Sequence, residues 1–211
     1  MNATASQFSF TRFAQLVLEA LEAAQVKYLI GGSVATAAWG EARTTQDLDV
    51  VVDLPVESMA ALSEELAKRD MLVPPDIMLD LWLRPRGDLA INAIHWPSGY
   101  KAEFFMLRPE DEQRRAALER RVMADYGPPL GVIWVHAPED LIVYKLRYFA
   151  ISQQTKHVRD VSSILQTMDE ELDWDYLNDW IARLGLEPQW FELLDEIDKL
   201  RSEASFSPDA P

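Results

Sequence analysis

Two carboxylates that lie two residues apart, Asp47 and Asp49, stand at the start of an apolar run that ends at Asp53. The run predicts a strand, and residues two apart on a strand point to the same face, so the two carboxylates lie side by side. Adjacent negative charges repel each other unless a cation offsets them. Oxygen ligands of this kind suit Mg²⁺, which keeps several waters and bridges to substrate phosphates. The pair therefore predicts a magnesium site.

A glycine turn precedes the carboxylates in the chain. The predicted strand Lys27–Ile30 runs into Gly31, Gly32 and Ser33, and a short Ala-rich helix follows. Glycine lets the backbone approach an anion closely, and the amides at a helix N-terminus attract negative charge. A phosphate-binding turn and a metal site within one short segment indicate phosphoryl or nucleotidyl transfer.

This arrangement resembles the nucleotidyltransferase superfamily, whose members carry a Gly-Gly/Ser turn, then Asp-x-Asp, then a third carboxylate on a later strand. The positions that match the first two parts are Gly32, Ser33, Asp47 and Asp49. Glu103, within the segment Lys101–Phe105, matches the third carboxylate. It departs from the more frequent Asp, whose side chain is one carbon shorter.

Further segments resemble the AbiEii-type branch, which occurs among abortive-infection and toxin–antitoxin proteins. They are Arg43–Asp49, the helical segment Pro138–Lys145 with its Glu-Asp-Leu and Lys, and the pair Arg159-Asp160. The likeness covers roughly residues 10 to 165 of the chain. We expect Asp160 to have a structural role in pairing with Lys145 or Arg159.

The resemblance implies a metal-dependent enzyme that moves a nucleoside monophosphate from a nucleoside triphosphate to an acceptor hydroxyl. It implies that Asp47, Asp49 and Glu103 are catalytic and hold one or two Mg²⁺ ions. The residues implied to contact the nucleotide are Gly31, Gly32, Ser33, Arg43 and Lys145. The choice of nucleotide stays open, as does the acceptor, which could be a protein side chain, a tRNA end or a small molecule.

Simpler interpretations of three of these residues also stay open. Arg43 could pair with an acid near the site and hold the loop instead of touching phosphate. Glu103 could be an ordinary outward-facing residue of a half-exposed strand, and Lys145 a solvated helix residue. The main alternative for the whole chain is a nucleotide-binding or protein-interaction module that has lost catalysis. A small-molecule transferase, such as an antibiotic nucleotidyltransferase, is a further alternative.

Composition limits the class of protein. The 211 residues contain 48% hydrophobic residues and no Cys, so a globular chain without disulfides or thiolate chemistry is expected. The net charge of −15 disfavours extensive nucleic-acid binding, although a local basic path is compatible with it. No apolar run is long enough to cross a membrane, and Met1–Phe10 does not read as a signal peptide, so we expect a cytoplasmic protein.

The order of predicted elements indicates an α/β fold, with a small mixed sheet flanked by helices and an α-helical C-terminal subdomain. The predicted domains are 1–136, 137–204 and a disordered tail, 205–211. Besides the strands above, predicted strands are Leu89–Trp96, Tyr100–Leu107 and Gly131–Val135. Predicted helices are Phe10–Ala24, Val56–Lys68, an exposed Pro109–Arg121, and roughly 138–150, 155–168, 174–184 and 188–202. The segment Ile77–Leu83 could be helical or extended, and Trp174, Trp180 and Trp190 could mark a surface for a protein partner.

Overall fold

The computed structural model describes residues 8–84 and 89–205. The chain divides into two compact units, of which the first comprises the residues up to Val34 together with Thr44–Val135. The second comprises Ala35–Arg43 and the residues from His136 onward. The division into domains 1–136 and 137–204 stays a prediction, and the tail beyond residue 205 lies outside the described residues.

The described part of the first unit contains a mixed sheet of six strands. The strands are β1 Lys27–Ile30, β2 Asp47–Asp53, β3 Ile91–Ile94, β4 Lys101–Met106, β5 Val122–Asp125 and β6 Val132–Val135. Their order across the sheet is β3-β4-β2-β1-β6-β5. Strand β2 is parallel to β4 and β1 is parallel to β6, whereas the other neighbours are antiparallel.

Helices of the first unit supply much of its core. They are α1 Phe10–Ala23, the N-terminal part of α2 Gly32–Trp39, α3 Met59–Ala67, α4 Pro75–Leu83 and α5 Glu112–Arg120. Leu48, Val50 and Val52 are buried on one face of β2, and Phe13 of α1 and Leu62 of α3 are fully buried as well. Because side chains alternate along a strand, burial of these three residues leaves Asp47 and Asp49 on the other face of β2.

The regular secondary structure in the described residues of the second unit is helical. It contains the C-terminal part of α2 and the helices α6 Pro138–Ser152, α7 Thr155–Met168, α8 Trp174–Arg183 and α9 Glu187–Ser205. Gly40 lies against α7, where a Cβ atom would come within 2.4 Å of Ser163 Oγ. None of the helices in residues 8–84 and 89–205 is long and apolar enough to cross a membrane.

The α/β fold with a helical C-terminal part is confirmed, and the open alternative at Ile77–Leu83 is resolved. That segment belongs to α4, which begins with Pro75 at its N-terminal end. Proline is favoured there because its fixed φ suits the helix and its missing N–H has no intrahelical partner to lose.

Two predictions about which side chains are exposed are wrong, at least in part. The segment predicted as an exposed helix forms α5, but Arg114 and Leu118 of that helix are buried. Trp180 and Trp190 are buried too, at 5% and 8% exposure, so they do not form a partner surface, whereas Trp174 is exposed and its place in such a surface stays a prediction. In both cases charged and apolar residues are mixed along the helix, so the sequence did not indicate which side of the helix is buried.

A buried ion pair joins α6 to α7 in the second unit. Lys145 Nζ lies 2.6 Å from Asp160 Oδ2, and the two side chains are 3% and 4% exposed. Arg43 donates from Nε to Asp160 Oδ1 over 3.0 Å and from Nη2 to Oδ2 over 3.4 Å. Burial alone would raise the pKa of Asp160, but the charge of Lys145 and the hydrogen bond from Arg43 outweigh it and hold the pKa below its ordinary value. The predicted pairing of Asp160 with Lys145 is confirmed.

We expect Asp160→Asn to destabilise the protein by about 3–5 kcal/mol, because it removes the carboxylate from a buried ammonium. The matched control is Asp179→Asn, which breaks an exposed pair with Arg183 at 3.6 Å and should cost less than about 1 kcal/mol. Urea unfolding at neutral pH measures both.

The pH dependence checks the same contact. A carboxyl with a lowered pKa in the folded state stabilises the protein above its unfolded pKa and loses that effect as the pH falls through the folded value. The wild type should therefore lose more stability in acid than Asp160→Asn does. Equal unfolding free energies for Asp160→Asn and Asp179→Asn would contradict the assignment.

Candidate active site

The glycine turn after β1 lies in close contact with Asp49. Gly32 begins α2 with φ of +57°, and a Cβ atom on it would lie 1.7 Å from Asp49 Oδ2. Gly31 donates its N–H to the carbonyl oxygen of Asp49 over 2.8 Å. Both the positive φ and the close approach require glycine at position 32. The turn therefore holds the start of α2, with buried Ser33 as its second residue, directly against this carboxylate.

The pairing of β2 with β4 brings the three predicted carboxylates onto one face of the sheet. Asp49 is the direct partner of Glu103, and Asp47 is the direct partner of Lys101. Neighbouring residues in register point to the same side of a sheet. Glu103 therefore lies beside Asp49 and not on the opposite face, as a role in the same site requires.

Lys101 is a residue of this site that the sequence interpretation missed. Its Nζ lies 2.6 Å from Glu103 Oε1 and 3.5 Å from Asp47 Oδ1. The hydrogen bond to Glu103 raises the pKa of the Lys101 ammonium above its ordinary value, against the opposing effect of burial. The sequence itself indicated that Lys101 lies next to Glu103, because residues two apart on a strand share a face.

The chemistry of this face fits a divalent cation. Asp47, Asp49 and Glu103 supply hard oxygen donors, and a cationic group, the Lys101 ammonium, already lies against two of them. In residues 8–84 and 89–205, no group of three or more acidic or His side chains converges closely enough to hold a metal ion as it stands. The structure thus shows a shared face, and the three roles as metal ligands stay predictions.

Two of the predicted nucleotide contacts, Arg43 and Lys145, lie in the second unit. Both pair with Asp160, and Lys145 is buried. The interpretation of Lys145 as a solvated helix residue is therefore wrong. This pairing does not test their predicted contacts with phosphate, which stay predictions.

No profile of a known protein family matches the chain, and no curated protein matches it either. Solved structures do match. The solution structure of the antibiotic-resistance factor ANT(2'')-Ia has a TM-score of 0.57 and 14% identity, over 88% of this chain and 96% of that one. The crystal structure of ANT(2")-Ia in complex with adenylyl-2"-tobramycin has a TM-score of 0.56 and 14% identity, over 85% and 98% of the two chains.

A third similar structure is an antigenic nucleotidyltransferase-like protein from Paracoccidioides brasiliensis. Its TM-score is 0.50 and its identity 16%, over 88% of this chain and 92% of that one. At such identities the likeness concerns the fold alone. The chain has a nucleotidyltransferase-like fold.

Proposed function

We propose that the protein is a metal-dependent nucleotidyltransferase that moves a nucleoside monophosphate from a nucleoside triphosphate to an acceptor hydroxyl. The observation that carries the proposal is the contact of Gly32 with Asp49, beside Glu103 on the neighbouring strand. It joins a turn suited to phosphate with a face of carboxylates suited to a cation. The nucleotidyltransferase-like fold supports the same chemistry.

Each residue of this face then has a part in the reaction. The backbone at Gly31 and Gly32 and the hydroxyl of Ser33 bind the triphosphate, and Asp47, Asp49 and Glu103 would hold Mg²⁺. When bound, Mg²⁺ supplies positive charge to the phosphates and the leaving pyrophosphate. Glu103 accepts the proton of the acceptor hydroxyl as its oxygen forms a bond to the α-phosphorus. The bond from that phosphorus to the β-phosphate breaks, and pyrophosphate leaves.

The finer assignments rest on the sequence likeness. We assign the chain to the AbiEii-type branch, and hence to a toxin–antitoxin or phage-defence context, on Arg43–Asp49 and Pro138–Lys145. Arg43 and Lys145 are proposed to contact the nucleotide. An aminoglycoside acceptor, such as the tobramycin moiety bound to ANT(2")-Ia, belongs to the alternative of an antibiotic nucleotidyltransferase.

One observation favours the alternative of an inactive module. The Lys101 ammonium offsets the charge of Asp47 and Glu103 within the chain itself. A protein that neutralises its own carboxylates in this way needs no metal ion to keep them together. The affinity for Mg²⁺ therefore separates the two functions.

The transfer reaction tests the proposal directly. The purified chain would be incubated with each of the four α-labelled nucleoside triphosphates, Mg²⁺ and cell extract, and pyrophosphate release and labelled products would be measured. We expect Asp47→Asn with Asp49→Asn to abolish release while leaving the melting temperature equal or higher, because two repelling charges are removed. Asp53→Asn, at the exposed end of the same strand, is the matched control and should stay active. Release by the double variant would exclude the proposed site.

We expect Gly32→Ala to lose transfer activity and to be destabilised, because the methyl group displaces the Asp49 carboxylate. Gly99→Ala is the matched control, since Gly99 also has a positive φ, +76°, but has no atom within 4 Å of the added Cβ. Both variants bear the backbone strain of about 1–2 kcal/mol. Thermal unfolding and pyrophosphate release should therefore separate them, and equal effects would remove the turn from the site.

We expect Lys101→Gln to bind Mg²⁺ alone more tightly, by about fivefold or more, since one positive charge beside the carboxylates is lost. Calorimetry in the absence of nucleotide measures this affinity. The control is Lys27→Gln on β1, which lies across from Asp53 at the other end of β2 and should leave the affinity unchanged. Absence of Mg²⁺ binding in both the wild type and Lys101→Gln would support the inactive module instead.

A further inference from the structure

A cavity of about 380 Å³ lies at the edge of the sheet in the first unit. Its lining consists of Leu72, Asn92, Ile94 and Trp96. Strand β3, which carries Asn92 and Ile94, is the outermost strand on this side of the sheet. The cavity thus combines three apolar side chains with one amide.

The register of β3 with β4 places this cavity beside the carboxylate face. Asn92 is the direct partner of Glu103, and Ile94 is the direct partner of Lys101. Directly opposed residues of an antiparallel pair share a face, with Cβ atoms about 4.5–5.5 Å apart. A ligand in the cavity would therefore contact Asn92, the residue directly opposite Glu103. It would lie on the side of β4 that faces away from β2.

The apolar side chains that line the cavity are exposed, although backbone hydrogen bonds fix the segments that carry them. Trp96 is 74% exposed and Leu72 is 60% exposed. The backbone N–H of Trp96 donates to the carbonyl oxygen of Asp70 over 3.1 Å, and Met71 pairs with His95 in an isolated β-bridge. A second cavity of about 340 Å³ shares Leu72 and Trp96. Trp96 thus has a fixed backbone and an exposed side chain that lines both cavities.

We propose that this cavity, the Trp96 subsite, binds the acceptor, and that the acceptor is a small molecule with an aromatic or apolar ring and a hydroxyl group. The inference rests on the proposed function. The ring stacks on Trp96 and packs against Leu72 and Ile94, because aromatic side chains combine a large apolar area with stacking. Asn92 hydrogen-bonds to the hydroxyl and positions it at Glu103.

The chemistry of the lining selects this acceptor over the other classes. Among the described residues, those that line this cavity include no carboxylate to bind the amines of an aminoglycoside and no Lys or Arg to bind nucleic-acid phosphates. The net charge of −15 also repels polyphosphate. The acceptor oxygen would bond to the α-phosphorus, its proton would pass to Glu103, and pyrophosphate would leave. The product is a phosphodiester between the acceptor and the nucleoside.

Binding of a neutral aromatic probe tests the Trp96 subsite without requiring transfer. The fluorescence of N-phenyl-1-naphthylamine would be titrated with the full chain. We expect Trp96→Ala to raise the Kd of the probe about tenfold, because the stacking surface is lost. Phe191→Ala is the matched control, since Phe191 is a similarly exposed aromatic residue, at 65%, on α9 of the second unit. Equal Kd values for Trp96→Ala and wild type would overturn the proposal.

A competition between two acceptors connects the subsite to the reaction. 2-(2-Naphthyl)ethanol and tobramycin would be offered together, with α-labelled nucleoside triphosphates and Mg²⁺. We expect label on the naphthyl alcohol, with Trp96→Ala raising its KM about tenfold and leaving kcat within about twofold. Label on tobramycin alone would overturn the subsite and leave the proposed function standing. Probe binding through Trp96 with no labelled product and no pyrophosphate release would overturn the acceptor assignment together with the proposed function.

Discussion

The close contact between the Gly32 backbone and the Asp49 carboxylate is the constraint on which the candidate site depends. A Cβ atom at position 32 would overlap Asp49 Oδ2, and the Gly31 N–H is bonded to the Asp49 carbonyl oxygen. These contacts join the end of β1, the start of α2 and the start of β2 at one point. Because Asp49 also lies beside Glu103 in register, the turn holds a helix N-terminus against one carboxylate of this face and next to the strand that carries another. Local backbone geometry and sheet pairing thus create one chemical environment.

The pairing of acidic side chains with cations is a second constraint on the structure. The chain carries a net charge of −15, and two of its clusters of acids with cations are organised in opposite ways. Asp160 is buried and receives both Lys145 and Arg43, so desolvation makes the contact structural. Lys101 lies on a partly exposed face among carboxylates, at 31% exposure. A cation from solution can compete there, which is why we interpret this face, and not Asp160, as the place for a metal ion.

The outer edge of the sheet extends the site from phosphate chemistry to acceptor recognition. Strand β3 continues the carboxylate face outward, but the charged residues Lys101 and Glu103 of β4 lie opposite the uncharged residues Ile94 and Asn92 of β3. Such a change within one face is expected where a polar reacting group and an apolar body of the same ligand are bound side by side. The exposed indole would otherwise be an unfavourable surface, because most other aromatic residues in the described part of the chain are buried or half-buried.

Much of this architecture was predictable because it depends on local patterns. Strand β2 was predicted with its observed bounds from an apolar run, and Gly32, Asp47 and Asp49 were singled out by residue type and spacing alone. Strand β5, Val122–Asp125, was missed because it is short, half-exposed and stabilised only by pairing with β6. The partner of Glu103 depends on which strands become neighbours, so Lys101 and the Trp96 subsite emerged only from the register. Sequence spacing thus determined which side chains share a face within one strand. Tertiary structure alone decided which strands, and therefore which charges and apolar surfaces, come together, because such contacts join residues far apart in the chain.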